Sequence, residues 1–119
     1  MAAGVLLVDD HTGFRRMARR LLVAAGFDVV GEAADGAEGI RRAEALHPSI
    51  VVLDVLLPDL DGFAVAARLA GLPDPPAVVL ISARSRADLG DRLDTAPVRG
   101  FLPKDRLTAR TLAELLGPP

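Results

Sequence analysis

The chain has 119 residues, half of them apolar and a quarter charged, with 14 basic against 16 acidic residues for a net charge of −2. That length suits one domain with a real core, and the charge balance excludes a non-specific nucleic-acid binder, which would carry a basic excess. Cysteine is absent, so disulfides, thiolate zinc sites and cysteine nucleophiles are excluded too. No apolar run approaches the ~18–20 residues of a membrane span. Met1-Ala2-Ala3-Gly4 lacks the basic start of a signal peptide. The expectations are therefore no membrane partner and a cytoplasmic location. Lys104 is the only lysine among the 14 basic residues. A lone lysine in an arginine-rich chain marks a position where a planar guanidinium does not serve.

Val5-Leu6-Leu7-Val8 is an apolar run that ends at Asp9-Asp10. Phe14, Met17, Ala18, Leu21, Leu22 and Ala25 then follow the spacing of a buried helix face. Arg15, Arg16, Arg19 and Arg20 read as its solvated side, and Gly26 stops it. A second strand starts at Asp28-Val29-Val30 and closes at the Asp35-Gly36 turn. Ala37, Ile40, Ala43 and Leu46 mark a helix stopped by His47-Pro48, and Ile50 to Leu53 is a third strand ending in Asp54. A loop through Pro58, Asp59 and Asp61-Gly62 leads to a helix with Phe63, Ala66, Ala67 and Ala70 inward. The fourth strand, Ala77 to Ile81, ends at Ser82. Residues 85–95 predict a weaker helix anchored by Leu89 and Leu93, with Asp88, Asp91 and Asp94 thinning its apolar face. Val98 to Leu102 is a short fifth strand, and residues 106–116 form a last helix ended by Gly117-Pro118-Pro119.

Strands without alternation are buried on both faces, as in a parallel sheet. Right-handed crossovers then give a doubly wound α/β sheet of five strands and five flanking helices. Ligands of such sheets bind beyond the carboxyl ends of the strands. Those ends carry Asp9-Asp10, Asp54, Ser82 and, directly after the fifth strand, Lys104. Any one of these polar residues is explained as a strand end meeting solvent; five at matching ends point to a site. Clustered carboxylates raise one another's pKa or recruit a cation, and all-oxygen ligation favours a hard ion such as Mg²⁺ or Ca²⁺. Together with a hydroxyl and an ammonium, the set suits a phosphoryl group in transfer.

The motifs Val8-Asp9-Asp10, Leu53-Asp54-Val55-Leu56-Leu57-Pro58-Asp59-Leu60-Asp61-Gly62, Ile81-Ser82-Ala83 and Gly100-Phe101-Leu102-Pro103-Lys104, in that order and spacing, resemble the receiver domain of bacterial two-component response regulators. The resemblance covers essentially the whole chain and implies the strand order 2-1-3-4-5 and one receiver domain over residues 4–117, with no output domain in this chain. It implies a phosphorylation-dependent signalling switch rather than an enzyme, with only self-phosphotransfer and slow self-dephosphorylation. Asp54 becomes the phosphoacceptor. Asp10, Asp54 and the backbone carbonyl of Leu56 bind Mg²⁺ (or Mn²⁺), and Asp9 helps hold the metal. Ser82 and Lys104 contact the phosphoryl oxygens, and Phe101 is the switch aromatic. The implied partners are a sensor histidine kinase or phosphotransfer protein and an effector protein or fused output domain. A phosphorylation-dependent homodimer is also admitted; direct nucleic-acid contact through this domain is not.

Bland readings stand beside these roles. Asp9 also fits as the acid favoured at a helix N-terminus, and Phe101 as plain core. His11 reads as an exposed cap beside the acidic pair. Lys104 is followed by Asp105 instead of the commoner proline, a feature of receivers resembling the nitrate-response and LuxR-like regulators. Leu56 stands where an aspartate-nucleophile phosphatase of the haloacid-dehalogenase class needs its second aspartate, which argues against such an enzyme.

Overall fold

A computed structural model describes residues 3–117; Met1, Ala2 and the two prolines expected to close the last helix, Pro118 and Pro119, lie outside them. In chain order the elements are β1 Gly4–Val8, α1 Thr12–Ala24, β2 Asp28–Ala33, α2 Gly36–Leu46, β3 Ile50–Asp54, α3 Gly62–Ala70, β4 Ala77–Ser82, α4 Arg86–Leu89, α5 Arg92–Thr95, β5 Gly100–Pro103, a 3₁₀ turn Lys104–Arg106 and α6 Ala109–Leu116. The strands form one sheet in the order β2-β1-β3-β4-β5, and every neighbouring pair is parallel. The doubly wound sheet and its order are as expected from the sequence.

Alternate residues of the central strands feed two cores. Leu6, Val8, Val51, Leu53 and Leu80 face α2 and α3, meeting Ile40, Ala43, Val65, Ala66 and Leu69. Val5, Leu7, Val52, Val79 and Ile81 face the other way and meet Ala18 and Leu22 of α1 and Leu112 of α6. Both faces are covered, so the strands are apolar throughout, and only their ends are free to carry polar groups.

Helix faces differ from expectation in detail. In α3 the buried residues are Val65, Ala66 and Leu69, while Ala67 and Ala70 are exposed and Phe63 is half-buried. Burying a branched side chain yields more than burying a methyl, so Val65 and Leu69 set the rotation of the helix. Met17 of α1 and Leu46 of α2 are likewise exposed. The helix expected over 85–95 is two short helices. Gly90 between them takes φ +62° and ψ −146°, a positive-φ conformation open to glycine that ends the first helix. Among the described residues there are thus six α-helices instead of five. The pairing of β5 begins at Gly100 rather than Val98. The last helix starts three residues later than expected because Thr108 caps it, accepting from the Thr111 N–H.

Two loop residues fix the carboxyl end of β3. Gly62 opens α3 so close to that strand that a Cβ would stand 2.3 Å from the Asp54 carbonyl oxygen and 2.6 Å from Val55 Cα. Asp59 reaches the N-terminus of α2: its Oδ1 accepts from the Gly36 N–H at 2.7 Å and its Oδ2 from the Ala37 N–H at 2.9 Å. Asp35, the residue before α2, accepts from the Glu38 N–H. Three of the otherwise unpaired N–H groups at the start of the helix, those of Gly36, Ala37 and Glu38, are therefore taken.

The bonds from Ala37 and Gly36 hold the Asp59 carboxyl below the usual carboxylate range. A depressed carboxyl contributes stability that is present above its unfolded pKa and is lost as pH falls through the lower folded value. Asp59→Ala is expected to lower the thermal midpoint at pH 7, and the gap to the parent chain should close as pH falls through the acid range. Thermal melts of both chains by circular dichroism between pH 7 and pH 3 check this.

Candidate functional site

The carboxyl ends of β1, β3 and β4 and the turn after β5 converge on one cleft of about 270 Å³. Register accounts for the convergence: Asp54 pairs with Ile81, and Ser82 pairs with Pro103, the residue before Lys104. Asp54 and Ser82 are buried at 3% and 2% exposure, and Asp9 at 1%. Asp10 is at the exposed rim.

Lys104 is the hub. Its Nζ lies 2.7 Å from Asp9 Oδ2 and 3.0 Å from Asp54 Oδ2. It also stands 4.8 Å above the ring of Phe14. Both carboxylate contacts are close ion pairs. Burial works against the ammonium, but its pairing with Asp9 and Asp54 outweighs this and raises the Lys104 pKa. Lys104 is therefore a fixed positive charge. Burial also pushes the Asp54 carboxyl up, against the opposing pull of the Leu56 N–H and Lys104.

Asp54 Oδ1 accepts from the Leu56 N–H at 3.1 Å, and Ser82 Oγ accepts from the Arg84 N–H at 3.0 Å. Candidate ligand atoms of Asp9, Asp10, His11 and Asp54 all lie within 4.8 Å of one another. Three carboxylates facing one ammonium leave an excess of negative charge. That excess fits a bound divalent cation, as does the hard oxygen chemistry of the donors. The structure thus gathers Asp9, Asp10, Asp54, Ser82 and Lys104. Phe101 is outside the cleft: it is half-buried on β5 and packs against the core facing α2 and α3.

Arginine 15 departs from its expected place on a solvated face. Arg15 turns inward, donating from Nη1 to the Asp9 backbone carbonyl and from Nε to Glu32 Oε1 at 3.0 Å. Arg19 donates to the other Glu32 oxygen at 2.9 Å. Glu32 at the end of β2 thus orients the guanidinium that grips the residue carrying the most buried acid. Only the sheet order, which pairs β1 with β2, brings Glu32 beside it.

The family model of the response regulator receiver domain matches residues 5–116, and the chain belongs to that family. Phosphorylation and Mg²⁺ binding are general properties of the family. A putative transcriptional regulator of Pseudomonas aeruginosa is 37% identical over 94% of this chain and 52% of its own length. The BvgA positive transcription regulator of Bordetella pertussis is 36% identical over 84% of this chain and 48% of its own length. The chain therefore spans about half the length of these curated relatives. The signal receiver domain of the putative response regulator NarL from Mycobacterium tuberculosis superposes with a TM-score of 0.83 at 34% identity, covering 98% of both chains.

Charge-assisted hydrogen bonds contribute about 1.5–3 kcal/mol each. Arg15→Ala is expected to destabilise the chain by about 1–3 kcal/mol, whereas the exposed Arg20→Ala stays within about 0.5 kcal/mol. Urea denaturation of the two variants, side by side, tests the difference.

Proposed function

We propose that residues 4–117 act as one receiver unit whose Asp54 takes a phosphoryl group from a phosphohistidine of a sensor kinase or phosphotransfer protein. The observation that carries this is the clustering of Asp54 with Asp9, Asp10 and Lys104 in a cleft that also contains Ser82. An Asp54 carboxylate oxygen attacks phosphorus, the P–N bond to the donor imidazole breaks, and its electron pair returns to that ring. The product is an acyl phosphate. Mg²⁺, or Mn²⁺, held by Asp10, Asp54 and the Leu56 carbonyl with help from Asp9, supplies charge neutralisation for the transferring group. Lys104 already faces Asp54 Oδ2 and transfers its contact to a phosphoryl oxygen. The Ser82 hydroxyl, whose oxygen accepts from the Arg84 N–H, donates its proton to another phosphoryl oxygen.

The added charge and acceptor oxygens bias a two-state equilibrium. Inverting a population of about 1:99 takes about 5.5 kcal/mol, and two charge-assisted contacts at about 1.5–3 kcal/mol each reach that order. Phe101 moves into the space left when Ser82 shifts, and the surface around α4, α5, β5 and α6 changes. An effector protein or a fused output domain reads the change, and a second copy of the chain is another candidate reader. The domain itself touches neither nucleic acid nor membrane and works in the cytoplasm. Leu56 has no polar group to position a hydrolytic water, so self-dephosphorylation is slow. The chain has no further catalytic activity.

Phosphoryl incorporation from a phosphorylated kinase or from acetyl phosphate is expected only with a divalent cation. It should be abolished by chelation and by Asp54→Asn; wild-type incorporation by that variant in a phosphate-affinity gel assay sinks the assignment. Lys104→Arg is expected to accept the phosphoryl group yet switch poorly, because a planar guanidinium does not replace a compact ammonium. Beryllofluoride-induced NMR shift changes around α4, β5 and α6, compared between Lys104→Arg and the parent chain, check this.

A further inference from the structure

Aromatic side chains are scarce in this chain, which has four phenylalanines and neither tyrosine nor tryptophan. Two of the four stand under a cation: Phe63 under Arg92, and Phe14 under Lys104. The first pair joins α3 to α5. The second joins α1 to the turn after β5, and so meets the ammonium that contacts Asp54. Phe14 is the third residue of α1. Its ring is half-buried against the core that faces α1 and α6, so packing sets its place independently of the charged cluster. The helix thereby brings an apolar face to the edge of a polar cleft, where it forms a wall with Ala83 and Lys104.

Lys104 needs such a face. Its four-carbon stem is flexible, and its ammonium is a compact point charge. The polar neighbours of Nζ are Asp9 Oδ2 at 2.7 Å, Asp54 Oδ2 at 3.0 Å and His11 Nδ1 at 3.3 Å. Each of these changes in the course of phosphoryl transfer or is loosely held. Asp54 is to carry the phosphoryl group, Asp9 is to help hold a cation, and the His11 side chain is 69% exposed. The Phe14 ring neither takes up a proton nor binds a hard cation in place of the carboxylates, so its attraction for the ammonium persists through those changes. Contact with a ring face is also non-directional. Nζ can pass from a carboxylate oxygen to a phosphoryl oxygen without leaving it.

We propose that Phe14 is a positioning residue for Lys104: the face of its ring holds the ammonium beside Asp54 and thereby strengthens the hold of the cleft on a phosphoryl group. The proposal rests on the reading that Asp54 accepts that group. The Lys104 side chain is 15% exposed, so the contact between cation and ring is partly desolvated and stronger than one at an open surface. Without the ring, the ordering of a long side chain falls on the incoming oxygens alone.

Because Lys104 is the only lysine, the methylene protons beside its ammonium give a single lysine signal by NMR. Ring current from Phe14 is expected to displace that signal upfield in the parent chain and in Phe14→Tyr, which keeps the aromatic face. The displacement is expected to vanish in Phe14→Leu, which keeps an apolar side chain for the core. Beryllofluoride with Mg²⁺ is then titrated onto the same three chains. Phe14→Leu is expected to bind it about fivefold more weakly than the parent, and Phe14→Tyr to stay within about twofold. Equal affinity in the parent and Phe14→Leu, an equal loss in both variants, or an undisplaced lysine signal in the parent overturns the role of Phe14 and leaves Asp54 standing as the acceptor. A parent chain that binds no beryllofluoride overturns both.

Discussion

The contact of one half-buried ammonium with two buried carboxylates organises the molecule. Lys104 lies between Asp9 and Asp54, and these residues follow β5, follow β1 and end β3. A charge placed there without partners would cost several kcal/mol, so the three groups are tolerable only as a set. The set exists only if β1 and β3 are adjacent and β5 lies one strand beyond, across β4. Topology and electrostatics thus depend on each other. The sheet supplies the geometry of the cluster, and the cluster keeps the ends of the strands from being occupied by apolar side chains that would close the cleft.

Much of this is written in the chain. Apolar runs terminated by Asp9, Asp54 and Ser82 identify both the strands and the ends that face the ligand, because a strand buried on two faces has nowhere else to put a polar group. What the one-dimensional pattern does not carry is competition between residues of similar type. In α3 the choice between an alanine face and the Val65–Leu69 face depends on the depth of the core it meets. In the segment after β4, spacing of Leu89 and Leu93 reads as one helix, and the positive-φ break at Gly90 decides otherwise. Arg15 looks like its neighbours Arg16 and Arg20 until the pairing of β1 with β2 sets Glu32 beside it.

The loop after β3 shows how the site is kept rigid. Gly62 allows α3 to start against the Asp54 backbone, and Asp59 ties the same loop to the start of α2. Asp61 adds a third tie, accepting from the Phe63 N–H and from Arg92 of α5, whose guanidinium also stacks over the Phe63 ring at 4.2 Å. The candidate acceptor therefore sits in a frame anchored from three helices, as expected where a few tenths of an ångström decide whether a reacting group is in line.

The opposite holds on the far side of Ser82. Helix α4 is four residues long and fully buries none of them; the Ser85–Asp88 capping box closes its start, and Leu89 alone packs part-way against the core. An element with so little buried surface opens at little free-energy cost. Any rearrangement that begins at the serine will be absorbed in this weakly moored stretch before it disturbs the sheet. The chain is thus stiff where it must aim an oxygen and pliant where it must display an altered contour.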